Sequence, residues 1–300
     1  MENKTDIRLL SMLGQRGALG ASLLSIAPEF ENLMVLTGDL SNTSGLDRFQ
    51  AMYPEKFINT GIAEQHMIGM AAGLASEGYI PFTTTFATFA SMRCLEQVRV
   101  NGGYMKLNFK VVGLASGFVM GQFGNTHYGI EDIAIMRSIP NMVVLSPADS
   151  LEVKKSVIAA ANHEGPVYIR LTGGMNNPIV YKDDYKFNIG KSNLLKKGER
   201  ITFFATGSMV YYALKVAKAL EKHNVYPTVI NMNTIKPLDN DTVIEHANIS
   251  SHIVTIEEHN IIGGLGSAIA ETLASSNINT KQLFIGVNDC FSIPGSYDYL

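Results

Sequence analysis

Leu33-Met34-Val35-Leu36-Thr37 is apolar until it meets Gly38-Asp39, which reads as a buried strand ending in a turn. Phe109 to Leu114 and Met142 to Pro147 repeat the device, and Val167-Tyr168-Ile169-Arg170-Leu171 closes this first set. Between the apolar runs lie longer stretches of helical spacing, Ala63 to Ala75 and Asp149 to Ala161, the first with small residues on a close-packing face. Strands alternating with helices imply a parallel sheet with helical crossovers, so the fold class is α/β. From Thr172 to Glu199 the pattern dissolves into Gly, Asn, Pro, Lys and Asp, which reads as a linker or domain boundary. It then resumes, with strands at Ile201 to Thr206, Pro227 to Ile230 and Ile253 to Glu257, and helices at Tyr211 to His223 and from Gly263-Gly264-Leu265-Gly266 to Ala274. The expectation is two consecutive parallel-sheet α/β domains, residues 1–180 and 181–300. The last strand-like run, Phe284 to Val287, has no closing helix after it, so the natural C-terminus is expected to extend past Leu300.

Composition narrows the function classes. With 46% hydrophobic residues in 300, the chain can bury its cores without disulfides. Cys94 and Cys290 are too few and too far apart for a disulfide framework or a metal cluster; both are expected to pack as small apolar residues in a reducing compartment. The start is polar, and no run approaches the roughly 18 apolar residues of a membrane span, so a cytoplasmic protein with no membrane partner is expected. A net charge of −3 with interspersed signs offers no basic stripe, which argues against nucleic acid.

Three stretches could carry chemistry. In Phe57 to Met67, Glu64 stands in a small, apolar, turn-to-helix setting; desolvation there favours a protonated carboxyl able to share its proton with a ring nitrogen. Thr83 to Phe89 sets Phe86 and Phe89 three apart among hydroxyl residues, so that both rings can project from one turn toward a planar heterocycle. Gly121-Gln122-Phe123-Gly124-Asn125-Thr126-His127 is a glycine-rich loop after a strand, whose histidine can donate to a substrate oxygen. Each has an ordinary alternative: a helix N-terminal acid, core rings, a structural loop histidine. Glu257-Glu258-His259 could suggest a metal site, but adjacent strand residues face opposite ways, and a solvated or interface edge is expected.

Together these stretches resemble the transketolase family. Gly61-Ile62-Ala63-Glu64-Gln65 is similar to its catalytic-glutamate motif, Thr85-Phe86-Ala87-Thr88-Phe89 to its aromatic pocket and Thr126-His127 to its substrate loop. Ile130-Glu131-Asp132, Arg137 to Met142 and Pro147-Ala148-Asp149 continue the likeness through the pyrimidine-binding domain. Thr234 to Asp239, Glu257 to Asn260 and Gly263 to Gly266 extend it into the C-terminal domain. Several ordered motifs are far more specific than one glycine-rich run. The resemblance implies thiamine diphosphate as cofactor, with Glu64 and His127 catalytic and Ile62, Glu64, Phe86 and Phe89 holding the pyrimidine. The protein's part is then tautomer control, positioning and a dry site.

The family binds diphosphate through a metal held by a Gly-Asp-Gly motif, which this sequence lacks. The resemblance therefore implies an N-terminal transketolase subunit as partner, carrying that motif and Mg2+ or Ca2+, in an α2β2 heterotetramer that transfers a two-carbon ketol unit between sugars. No metal ligand is assigned to this chain. Phosphosugar-using relatives carry histidine, aspartate and arginine where this chain has Ala115 or Ser116, Phe123, and Thr172 or Gly173. An atypical sugar is expected, nucleotide-linked or unphosphorylated, with Arg16, Gln122 and Arg170 as sugar ligands. The alternatives are a 1-deoxyxylulose-5-phosphate synthase-like enzyme, a 2-oxoacid dehydrogenase beta-subunit-like enzyme, and a non-catalytic subunit. The C-terminal unit is expected to support dimerisation.

Overall fold

The computed structural model describes residues 4–300. Its first unit opens with helix α1 (Lys4–Ile26), strand β1 (Leu33–Thr37), α2 (Asp47–Met52), β2 (Phe57–Asn59), α3 (Glu64–Ser76) and β3 (Ile80–Phe86). Next come α4 (Leu95–Gln97), a short piece between π-helical turns Phe89–Arg93 and Val98–Tyr104, then β4 (Lys110–Leu114), α5 (Asp132–Ser138), β5 (Val143–Leu145), α6 (Ser150–Asn162) and β6 (Val167–Arg170). The rest comprises β7 (Asn193–Lys196), β8 (Ile201–Ala205), α7 (Met209–Leu220), β9 (Thr228–Asn231), β10 (Thr234–Lys236), α8 (Asn240–Ile249), β11 (His252–Asn260), α9 (Leu265–Ser275) and β12 (Lys281–Val287).

Among the described residues the strands form a seven-stranded sheet, β10-β5-β6-β4-β3-β1-β2, and a five-stranded sheet, β12-β11-β8-β9-β7. Both are parallel apart from one antiparallel edge strand each, β10 against β5 and β7 against β9. Strand β1 explains why its sequence is apolar throughout: Leu33 and Val35 enter a core on one face while Met34 and Leu36 enter a core on the other. Helices α1 and α6 cover the first face through Leu19, Leu23, Val153 and Val157. Helices α3 and α5 cover the second through Met67, Ile68, Ile133 and Met136, in one cluster with Phe204, Ile230 and Ile269 of the second unit. The two sheets thus share apolar packing.

Two sequence expectations give way here. The stretch 172–199 is no solvated linker: Tyr181 is buried, Ile179, Tyr185 and Phe187 pack on the first core, and β7 lies within it. The Asp149 carboxylate fixes it by capping α6 at the Glu152 amide (2.9 Å) while accepting from the Val180 and Tyr181 amides (2.9 Å each). Strand β10, from the second half of the chain, completes the first sheet. Of the cysteines, Cys94 is buried as expected, whereas Cys290 is exposed. No helix of the described residues is long and apolar enough to cross a membrane.

A buried ion pair ties the layers. Tyr168 and Arg170, two apart on β6, point to one side of the sheet, where Gly113 leaves room for the Tyr168 ring. Arg170 donates through Nε to both oxygens of Asp132 (2.9 and 3.0 Å) and through Nη2 to the carbonyls of Gly129 (3.0 Å) and Glu258 (2.8 Å). The Tyr168 hydroxyl donates to the same aspartate at 2.7 Å. Removing one partner of a buried pair leaves an uncompensated charge, at a cost of about 3–5 kcal/mol. Arg170→Met should therefore lower the thermal unfolding midpoint by on the order of ten degrees. A shift within a degree or two in calorimetry would contradict this role.

Candidate functional site

Parallel strands end on one edge, and the loops leaving that edge are where α/β sheets bind ligands. After β2, the Asn59 side chain accepts from the Asp39 amide (3.1 Å) and the Gly61 amide (3.0 Å), and the Thr60 amide donates to the Thr37 carbonyl (3.0 Å). The turn is thereby fastened to the end of β1 and delivers Glu64 as the first residue of α3. Only 4% of Glu64 is exposed. Its Oε1 accepts from Arg93 at 2.7 Å, and neighbouring Gln65 donates to the Arg93 carbonyl at 3.0 Å.

Phe86 ends β3 and Phe89 begins the π-helical turn, so the rings come from two elements instead of one turn. Their centroids nonetheless lie 5.9 Å apart, edge to face. His127 completes a triangle with them, 5.6 Å from Phe86 and 5.3 Å from Phe89, and Phe123 lies 5.1 Å from His127 on its outer side. The Arg93 guanidinium sits 3.9 Å over the Phe89 ring. The hydroxyls of Thr85 and Thr88 are buried without a hydrogen-bond partner. A Cβ at Gly38 would meet both Glu64 Cγ (3.5 Å) and Thr85 Oγ1 (3.9 Å), which puts the unpaired hydroxyl in the glutamate's surroundings. Burial, then the charge of Glu64, pushes the Cys94 thiol up to about 12, which disfavours the reactive thiolate.

His127 rides on a loop held from the second unit. Glu258 accepts from the Phe118 amide at 2.7 Å, from Tyr297 at 2.7 Å and from the Ser208 hydroxyl. Gly117, at φ +71, passes so close to this carboxylate that a Cβ would overlap it. The tail reinforces the loop: the Gly295 amide donates to the Gly121 carbonyl (3.0 Å), and the Tyr128 hydroxyl bridges the Gly121 (2.8 Å) and Ile293 (3.2 Å) carbonyls.

Glu257-Glu258-His259 is accordingly not a solvated edge. All three are buried, because β11 ends between two packed layers. Glu257 receives the amides of Leu265 (2.7 Å) and Gly266 (2.8 Å) at the start of α9, and burial pushes it up to about 7. His259, pushed down to about 4 by burial, accepts from the Ala134 amide at Nε2 and contacts the Asn260 carbonyl at Nδ1. Among the described residues no group of three His, Cys, Asp or Glu could hold a metal.

The remaining sequence candidates separate. Ile62 is 79% exposed at the turn before Glu64, and Gln122 is exposed on the His127 loop. Arg16 lies half-buried in α1, where burial lowers its pKa. Arg170 is corrected: its buried guanidinium is committed to Asp132 and two carbonyls and is unavailable to a sugar. Sequence reasoning missed Arg93 and the loop-holding role of Glu258; the Phe89 to Arg93 spacing of four is a usable signal, since it sets a ring and a guanidinium one helical turn apart.

The arrangement suits a flat, weakly basic heterocycle, its face on Phe89 and its edge toward Glu64. As for the loop, Glu258→Ala should speed amide exchange across residues 117–128 by about tenfold or more, since hydrogen bonds to charged groups contribute about 1.5–3 kcal/mol. Unchanged exchange there would show that the loop is held by other means.

Comparison with known proteins bears on the chain as a whole. Residues 12–176 match the family model described as transketolase, pyrimidine binding domain, and residues 190–300 the one described as transketolase, C-terminal domain. The chain is 41% identical over 280 residues to the 6-deoxy-6-sulfo-D-fructose transketolase subunit of Clostridium sp. MSTE9, covering 93% of this chain and 86% of that one. It is 34% identical over 280 residues to an apulose-4-phosphate transketolase subunit from Phocaeicola vulgatus, covering 93% and 89%. A solved structure described as a split gene transketolase, inactive beta4 tetramer, superimposes with a TM-score of 0.85 at 41% identity, covering 92% of this chain and 90% of that one.

Proposed function

The chain belongs to the transketolase family, as a split subunit with its pyrimidine-binding and C-terminal domains, and we propose that it forms the pyrimidine half of a thiamine diphosphate-dependent ketol-transfer site. The carrying observation is the buried Glu64 beside a wall of Phe86, Phe89 and His127, with the unpaired Thr85 hydroxyl near it. When bound, thiamine diphosphate supplies the electron sink that lets the carbon–carbon bond beside a ketone break. Glu64 receives and returns a proton at the edge of the aminopyrimidine, and its burial keeps that exchange out of water. Phe89 and Phe86 orient the ring, Ile62 extends the apolar rim, and His127 hydrogen-bonds a sugar oxygen. We place the domain boundary at residues 180 and 181 and assign the work to the cytoplasm.

The diphosphate and its cation, Mg2+ or Ca2+, fall to an N-terminal transketolase subunit with a Gly-Asp-Gly motif, in an α2β2 assembly. The absence of that motif here supports this, as does the relative described as an inactive tetramer of one chain type. For the sugar, the relatives named for sulfofructose and apulose phosphate favour a specialised ketose over ordinary pentose phosphates. With Arg170 committed elsewhere, Arg16 and Gln122 remain the sugar-facing candidates.

Glu64→Gln, in the assembled complex, should cut turnover by about a hundredfold or more while leaving the unfolding midpoint nearly unchanged. Normal turnover in that variant would favour the non-catalytic reading instead. Comparing nucleotide-linked, unphosphorylated and sulfonated ketoses with pentose phosphates tests the substrate: clear preference for pentose phosphates refutes an atypical sugar, and consumption of pyruvate points to a synthase- or dehydrogenase-like reaction.

A further inference from the structure

Arg93 satisfies at once the two groups assigned above to the aminopyrimidine. Its Nη1 donates to Glu64 Oε1 at 2.7 Å, and its guanidinium carbon lies 3.9 Å over the Phe89 ring. The chain builds this fit locally. Phe89 and Arg93 are one turn apart in the π-helical segment, and Gln65, next to Glu64 on α3, holds the Arg93 carbonyl at 3.0 Å. Guanidinium and aminopyrimidine are alike where it matters here: both are planar and delocalised, both lie on an aromatic face, and both meet a carboxyl group in their own plane, the guanidinium through an N–H and the pyrimidine through a ring nitrogen that shares the carboxyl proton. They differ in that guanidinium is a donor only, so while it holds Glu64 the pair cannot pass a proton back and forth.

We propose that Arg93 is an internal ligand of the pyrimidine site, seated in the coenzyme's place and displaced when the coenzyme enters, so that it determines how tightly the aminopyrimidine is taken. This rests on the reading of Glu64 and Phe89 given above. Displacement is within reach, because the Arg93 side chain is 44% exposed and can turn outward, whereas Glu64, at 4%, stays where it is. The outgoing guanidinium is hydrated in its turned-out position, and the charge it leaves on Glu64 is met by the proton that the carboxyl shares with the ring nitrogen.

The test uses the full chain and, as probe, 4-amino-5-hydroxymethyl-2-methylpyrimidine, the ring portion of the coenzyme, titrated by ligand-detected NMR. Arg93→Ala should bind it about tenfold more tightly than wild type, Arg93→Lys should fall between, and Glu64→Gln should bind it worse than either. Guanidinium ion, added to Arg93→Ala far below denaturing concentrations, should compete and restore the wild-type affinity. Equal or weaker binding by Arg93→Ala, with wild type still binding, overturns the internal ligand and leaves the coenzyme reading standing. If neither wild type nor Arg93→Ala binds the ring, the coenzyme reading fails and the proposal fails with it.

Discussion

The guanidinium of Arg170 is the joint on which the molecule turns. It leaves the end of β6 in the first sheet and reaches Asp132 at the start of α5, the Gly129 carbonyl behind the His127 loop, and the Glu258 carbonyl on β11 of the second sheet. A buried charge of this kind is tolerable only when every neighbouring group is in register, so the pair penalises any other docking of the two units more than it adds to stability. The position of the site loop follows from it: Gly129 behind His127 and Glu258 ahead of Phe118 are both fixed against the same group.

The second unit accordingly contributes more than the dimer support its sequence suggests. Glu258 and the tail around Gly295 and Tyr297 hold the loop that carries His127, and β10 completes the first sheet. Glu64 depends instead on the first unit alone, through the Asn59 turn and the close approach of Gly38. The site has two separately supported walls, one for the acid and one for the histidine, with Phe86 and Phe89 between them.

Much of this was legible in the sequence. Apolar runs such as Leu33 to Thr37 declared buried strands because both faces are covered, and the helices at Glu64–Ser76 and Ser150–Asn162 followed their spacing. Helix α1 was not legible, because Gly14, Gly17 and Gly20 break its pattern and Gly14 kinks it at φ 71. Strands β7 and β10 are short edge strands paired across long sequence separations, which local composition does not report. Glu64, Phe86, Phe89 and His127 were found as a group through ordered motifs and lie together. Arg170 stands among the sugar ligands as a cation available where the usual phosphate ligands are missing, and its partner Asp132, distant in sequence, is not legible locally. Glu258 reads with its neighbours as a solvated or interface edge because alternation along a strand assumes one open face, and β11 has none at that end.

The central claim is that this chain presents Glu64 and an aromatic wall to a coenzyme whose phosphates another chain holds. It is tested most directly by a crystal structure of the chain assembled with a Gly-Asp-Gly subunit in the presence of thiamine diphosphate and Mg2+. The account predicts the pyrimidine ring against Phe89 and within hydrogen-bond distance of Glu64, with Arg93 turned away. A coenzyme bound elsewhere, or none bound while Arg93 still holds Glu64, would contradict it.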